Sequence, residues 1–163
     1  MISGGQTGVD QAALEAAAAC GLDVGGWCPP GRASEAGPIP QRWPLRETPV
    51  ERSPEAPDVP RSLRTEWNVR DADGTLVLAA AGRVADDPGS AWAAECVRRY
   101  GRPLLVCDPG DRAAIDRIVE WVRANAIETL GVGGPSEATS PGIGELAYRL
   151  LREVFNRAKA RGN

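Results

Sequence analysis

The 163-residue chain contains no histidine, and only one methionine, one phenylalanine and two tyrosines. Without histidine it lacks both the commonest general base at neutral pH and the commonest zinc ligand. Its four cysteines, Cys20, Cys28, Cys96 and Cys107, share no C-x-x-C spacing, so neither a zinc ribbon nor a dithiol redox motif is expected. No apolar run approaches the ~20 residues that cross a bilayer, and no secretory leader opens the chain, so the cytoplasm is the expected location. There Cys20, Cys96 and Cys107 read as small buried hydrophobes. The net charge of −3 argues against a general nucleic-acid binder.

What is present is an ordinary globular composition, 42% hydrophobic and 25% charged, of a size suited to one domain over residues 1–163. Its most informative segment is the first. Ile2-Ser3-Gly4-Gly5-Gln6-Thr7-Gly8-Val9-Asp10 runs from a short strand through a glycine turn into an alanine-rich helix, Val9 to Cys20, that Gly21 stops. A helix opening after such a turn aims unpaired backbone N–H groups and the positive end of its dipole outward, which suits phosphate or another oxyanion. Gln6, Thr7 and Asp10 add polar side chains beside it. No Gly-Lys-Ser/Thr follows, which argues against a P-loop. The second strand, Val24 to Trp27, ends in Cys28-Pro29-Pro30 with no carboxylate for a ribose, so NAD is not expected.

Beyond it, strands and helices alternate. Helices are predicted over Arg61 to Arg70, Ser90 to Tyr100, Arg112 to Ala126 and Gly142 to Ala160, and strands over Thr75 to Ala79, Pro103 to Cys107 and Thr129 to Val132. Apolar strands between amphipathic helices predict an α/β fold with a Rossmann-like parallel sheet covered on both faces, where ligands bind beyond the strands' carboxyl ends. Nine of the fourteen prolines fall between Pro29 and Pro60. Residues 28–60 therefore read as an insertion: an ordered cap from Cys28 to Thr48, anchored by Trp43 and Leu45, then a more mobile linker from Pro49 to Pro60.

Four loops are expected over the carboxyl edge. Gly4 to Asp10 is the first. Trp27 to Arg32 brings the Cys28 thiol and a guanidinium shaped to fork onto oxyanion oxygens, with Trp27 and Trp43 able to line a pocket for a planar heterocycle. Val84 to Ser90 places Gly89 and a capping Ser90 at a helix start. Gly131 to Glu137, with Gly133 and Gly134, continues to Ser140-Pro141-Gly142-Ile143, where Ser140 as N-cap and Pro141 at the first helical position define another ring of free N–H donors. Asp71 and Asp73, before a strand, are placed at the opposite edge, shaping a turn.

The combination of the first nine-residue segment with Gly25-Gly26-Trp27-Cys28-Pro29, Gly31-Arg32, Ile39-Pro40, Pro44-Leu45-x-Glu47-Thr48, Arg64-Thr65-x-x-Asn68-Val69-x-Asp71-x-Asp73-Gly74-Thr75, Gly134-Pro135 and Pro141-Gly142-Ile143 closely resembles the molybdenum carrier family. That family is similar to a larger Rossmann-like group holding the "lonely guy" phosphoribohydrolases and the DNA-processing protein DprA. The resemblance implies a homo-oligomer that binds molybdenum cofactor, molybdate or a nucleotide-like phosphate. Gly4 to Gly8 would hold the anion through main-chain N–H groups, with Trp27, Cys28, Arg32, Gly133, Gly134, Pro141 and Gly142 around it. The chain departs from the pattern at Pro88-Gly89-Ser90, where relatives carry Gly-Gly-Thr, and at Pro30 and Ser136, where a cation is usual. It also begins almost inside its first strand, leaving room for residues upstream of Met1. The alternative function is a nucleoside-monophosphate phosphoribohydrolase, for which Glu95 would be the catalytic carboxylate.

Overall fold

Glycine turns and apolar runs in alternation build a parallel sheet between two layers of helices in the computed structural model, which describes residues 1–161. In chain order the elements are α1 (Val9–Ala19), β1 (Trp27–Cys28), β2 (Ala33–Ser34), β3 (Gly37–Pro38), β4 (Arg46–Glu47), α2 (Ser62–Asp71), β5 (Gly74–Leu78), α3 (Pro88–Tyr100), β6 (Leu104–Cys107), α4 (Ala114–Ala124), β7 (Leu130–Gly133) and α5 (Ile143–Arg161). Short 3-10 turns at Pro30–Arg32, Ala80–Gly82 and Val84–Asp86 lie in the connections.

β5 is the centre of the sheet, parallel to β6 on one side and β7 on the other. Ile2 extends it by bridging Gly131 and Gly25, both in parallel. β1 continues from Gly25 and pairs in parallel with β4. The spatial order is therefore β6-β5-β7-Ile2-β1-β4. The first two predicted strands shrink to a single bridging residue and a two-residue strand.

Alternation along β5 divides the core. Leu76 and Leu78 join α1, α4 and α5 in one cluster with Ile118, Val132, Leu151 and Phe155. Val77 faces the other way, onto Val69 of α2 and Trp92, Cys96 and Val97 of α3. A strand buried on both faces explains why Thr75 to Ala79 reads as an unbroken apolar run. Gly21, at φ 69°, ends α1 as expected.

The cap has a core of its own, formed by Leu14, Cys28, Ile39, Trp43 and Leu45. Its connection also returns to the sheet and supplies the edge strand β4, where the sequence reading has only loop. Residues 49–60 form successive turns, and the Ser62 hydroxyl ties them to α2 by accepting from Ser53 N at 2.8 Å and donating to Ala56 O at 2.9 Å. Asp73 accepts from Glu128 N at 3.2 Å and Thr129 N at 2.7 Å, so it shapes a turn at the amino edge as expected. Asp71 instead accepts from the Trp27 indole at 2.7 Å and pairs with Arg70.

Candidate functional site

Beyond the carboxyl ends of the central strands lies a cavity of about 170 Å³, walled by the 4–10 loop, the first turns of α2 and α3, and the 133–139 loop. Of the residues singled out in the sequence, Gln6, Asp10, Gly89, Ser90, Gly133 and Gly134 line it. Arg61, Arg64, Thr65, Glu35, Asp87, Ser136 and Thr139 line it as well.

Its centre is an ion pair. Asp10 is 1% exposed and its Oδ2 accepts from Arg64 at 2.7 Å and from Gln6 N at 3.3 Å. Burial pushes the Asp10 carboxyl above its ordinary range, and the adjacent Arg64 guanidinium offsets part of that rise. Gly4 makes the pairing possible, because a Cβ there would fall on the Arg64 guanidinium. Gly8 serves a different need: its φ is 77°, and a Cβ would lie 2.5 Å from Pro135 O.

Gln6 is fixed by its carbonyl end, with Oε1 accepting from Thr7 N at 2.9 Å and Glu35 N at 3.0 Å. Its Nε2, and the Nε of Arg64, are buried polar atoms with no hydrogen-bond partner. Both belong to side chains lining the cavity. Such groups are seldom left unpaired, since each costs about 1–3 kcal/mol. Glu35 reaches in from the cap and accepts from Ser136 Oγ at 2.8 Å and Thr7 Oγ1 at 3.2 Å.

The expected ring of free helix donors is not what the fold builds at three helix starts. Carboxylates and carbonyls of the chain itself take those N–H groups. At α1, Pro135 O takes Val9 N, and in the loop before the helix Asp10 and the Gln6 amide oxygen take Gln6 N and Thr7 N. At α3, Asp87 is the cap rather than Ser90: its Oδ2 accepts from Ser90 N at 2.8 Å and Ser90 Oγ at 2.6 Å. At α5, the Glu137 carboxylate takes Gly142 N and Gly144 N. Helix α5 begins at Ile143, so Ser140 is not its N-cap, and Pro141 and Gly142 stand exposed outside the cavity wall.

Six other expected residues lie outside the cavity wall. Cys28 is fully buried in the cap core, and that burial raises its thiol further from ionisation. Arg32, 7% exposed, donates to the carbonyls of Ile39, Leu45, Pro40 and Trp43 at 2.9–3.2 Å and clamps the cap shut. Trp27 stands edge-on to Trp67 at 4.7 Å with the Arg46 guanidinium 4.2 Å over its ring. Trp43 is buried in the cap core. Gly5 packs against Leu45 and Ile39. Glu95 is half-buried on α3 and outside the cavity, where Arg98 and Arg99 lower its carboxyl to about 2.

The cations that do reach the cavity, Arg61 and Arg64, sit at the start of α2. A positive side chain there opposes the helix dipole. That unfavourable placement is the sequence signal that marks them. Asp87 was likewise legible, since Asp-Pro is a strong pairing for an N-cap and first helical position.

A Rossmann-like α/β sheet with its polar cavity at the carboxyl edge is the class of protein the geometry defines. Residues 1–155 match the circularly permutated YpsA SLOG family, and the chain belongs to it. It is also similar to a solved structure of a putative molybdenum carrier protein from Syntrophus aciditrophicus SB. The two are 36% identical over 94% of this chain and 92% of that one, with a TM-score of 0.83. No curated protein matches. Among the described residues no helix is long and apolar enough to cross a membrane, and no cluster of acidic or thiol side chains is arranged to hold a metal ion.

Proposed function

We propose that the protein is a carrier or sensor that binds a phosphate-bearing or molybdenum-oxyanion ligand in the cavity at the sheet's carboxyl edge. The observation that carries this reading is the pair of unpartnered donors, Gln6 Nε2 and Arg64 Nε, on side chains that line one polar cavity. An anionic ligand accepting from each would satisfy them, and Arg61 adds charge to the lining. The likeness to a protein described as a molybdenum carrier supports an oxyanion or cofactor as cargo.

The volume of about 170 Å³ is smaller than the roughly 300–1,000 Å³ of whole-ligand pockets. It suits a tetrahedral oxyanion, or the phosphate end of a pterin or nucleotide whose remainder lies outside. The ligand set proposed is Gln6, Arg64, Arg61, Ser90, Gly89, Gly133 and Gly134, with Asp10 orienting Arg64. Glu95, outside the cavity, has no part in it.

Thermal stabilisation tests the proposal, with molybdate, inorganic phosphate, pyrophosphate, nucleoside monophosphates and molybdenum cofactor as probes. A ligand at ~100 times its Kd adds about 2.7 kcal/mol to stability. The wild type is expected to respond to at least one probe, and Gln6→Glu, which keeps the carbonyl contacts but removes the donor, to none. No response from the wild type, or an equal response from Gln6→Glu, would overturn the reading.

A further inference from the structure

A second cavity is larger than the one at the sheet edge. A groove of about 850 Å³ runs along the outer face of α5, and Leu146, Arg149, Arg152, Glu153 and Arg157 are among the side chains that line it. Leu146 is 44% exposed, one of three large hydrophobic side chains open to solvent among the described residues.

Beside it runs a row of alternating charge. Glu145, Arg149, Glu153 and Arg157 succeed one another at intervals of four, so they form a single i, i+4 ridge. The first three are exposed and Arg157 is half-exposed. Within the chain, Arg149 pairs with Glu145 at 2.6 Å and Arg157 with Asp116 at 2.8 Å. Glu153 has no ion-pair partner among the described residues.

A row reading minus, plus, minus, plus becomes plus, minus, plus, minus when reversed. We infer that this face of α5 is a self-complementary interface that takes the same helix of a second copy, antiparallel, about a two-fold axis level with Leu151. Positions equidistant from Leu151 then face each other. Arg149 meets the partner's Glu153, and Glu145 meets the partner's Arg157, each twice by symmetry. Packing of i±4 ridges against one another, at a crossing of about −50°, is the commonest helix–helix class and sets such rows side by side. The same register brings each Leu146 to the Asn156 end of the other copy's groove and removes it from water.

Sedimentation equilibrium tests the interface. The wild type is expected to be a dimer, and Arg149→Glu to dissociate it, weakening association at least about 100-fold because the introduced carboxylate then opposes that of Glu153 twice. The double variant R149E/E153R reverses both signs and is expected to restore the dimer. These side chains are solvent-exposed, and circular dichroism checks that each variant stays folded. A monomeric wild type, a dimer indifferent to Arg149→Glu, or a double variant that stays dissociated would each overturn the inference. A groove that bound an acidic partner instead would give the first of these outcomes.

Discussion

The cap and the first turn of α2 each hold an arginine largely out of solvent, and the two do opposite things. In the cap, Arg32 is surrounded by four backbone carbonyls and directs its donors to them. At α2, Arg64 holds one carboxylate and leaves its Nε unpaired beside a cavity. A guanidinium saturated by its own backbone is a structural clamp. One held in place by a single buried partner still carries a donor without an acceptor, and on that difference the proposed ligand role of Arg64 rests. The difference lies in the surroundings: a winding segment turns several carbonyls inward, whereas a helix start offers none.

The contrast is broken most forcefully at Arg32. Arg32→Ala leaves inward-turned carbonyls without donors and is expected to lower stability by about 3 kcal/mol, read from the urea midpoint. The folded fraction should bind its ligand as the wild type does. Were affinity lost in proportion, Arg32 would belong to the site after all.

Next comes Arg64→Lys, which keeps the charge beside Asp10 and loses the Nε donor. Its expected signature is a roughly tenfold or greater loss of affinity, worth ~1.4 kcal/mol, against a smaller change in stability. Isothermal calorimetry with whichever probe stabilises the wild type separates the two effects.

A finer test concerns the ion pair itself. Asp10 is raised above its ordinary value of 3.8, chiefly by burial. A carboxyl whose folded value is raised favours folding most below its unfolded value and loses that contribution as pH rises through the folded value. The stability of the wild type relative to Asp10→Asn should therefore fall between about pH 4 and the raised folded value. A relative stability that climbs instead would mean that the ionised pair with Arg64 outweighs its burial.

Smallest of all is the effect expected at Glu95. With its carboxyl lowered to about 2 by Arg98 and Arg99 and its side chain outside the cavity, Glu95→Gln should leave ligand-induced stabilisation unchanged. A lost response would bring α3's outer face into the site.

Much of the scaffold was legible residue by residue. Thr75 to Ala79 read as a buried strand because both faces of a central parallel strand are apolar, and Pro103 to Cys107 read as the next strand of the alternation. The helices fell within a few residues of their observed ends because their apolar spacing and stop signals are local. Gln6 and Asp10 were legible as polar groups beside a glycine turn. β4 was not: Arg46–Glu47 is polar, two residues long, and defined only by distant pairing with Trp27 and Cys28. The Arg32 clamp was equally hidden, since nothing local tells a guanidinium whether carbonyls or a ligand will surround it.

By itself the sequence determined the alternation of strands and helices, the glycine turn at the sheet's carboxyl edge and the family, because periodicity, turn chemistry and motif spacing are properties of neighbouring residues. Only the tertiary structure decided which polar groups remain available. Pro135 O, Asp87 and Glu137 take N–H groups at the helix starts that looked open, and Arg64 and Gln6 hold the unpaired donors. Hydrogen-bond saturation depends on partners brought from far along the chain, 54 residues in the case of Arg64 and Asp10, and that pairing exists only once the chain has closed on itself.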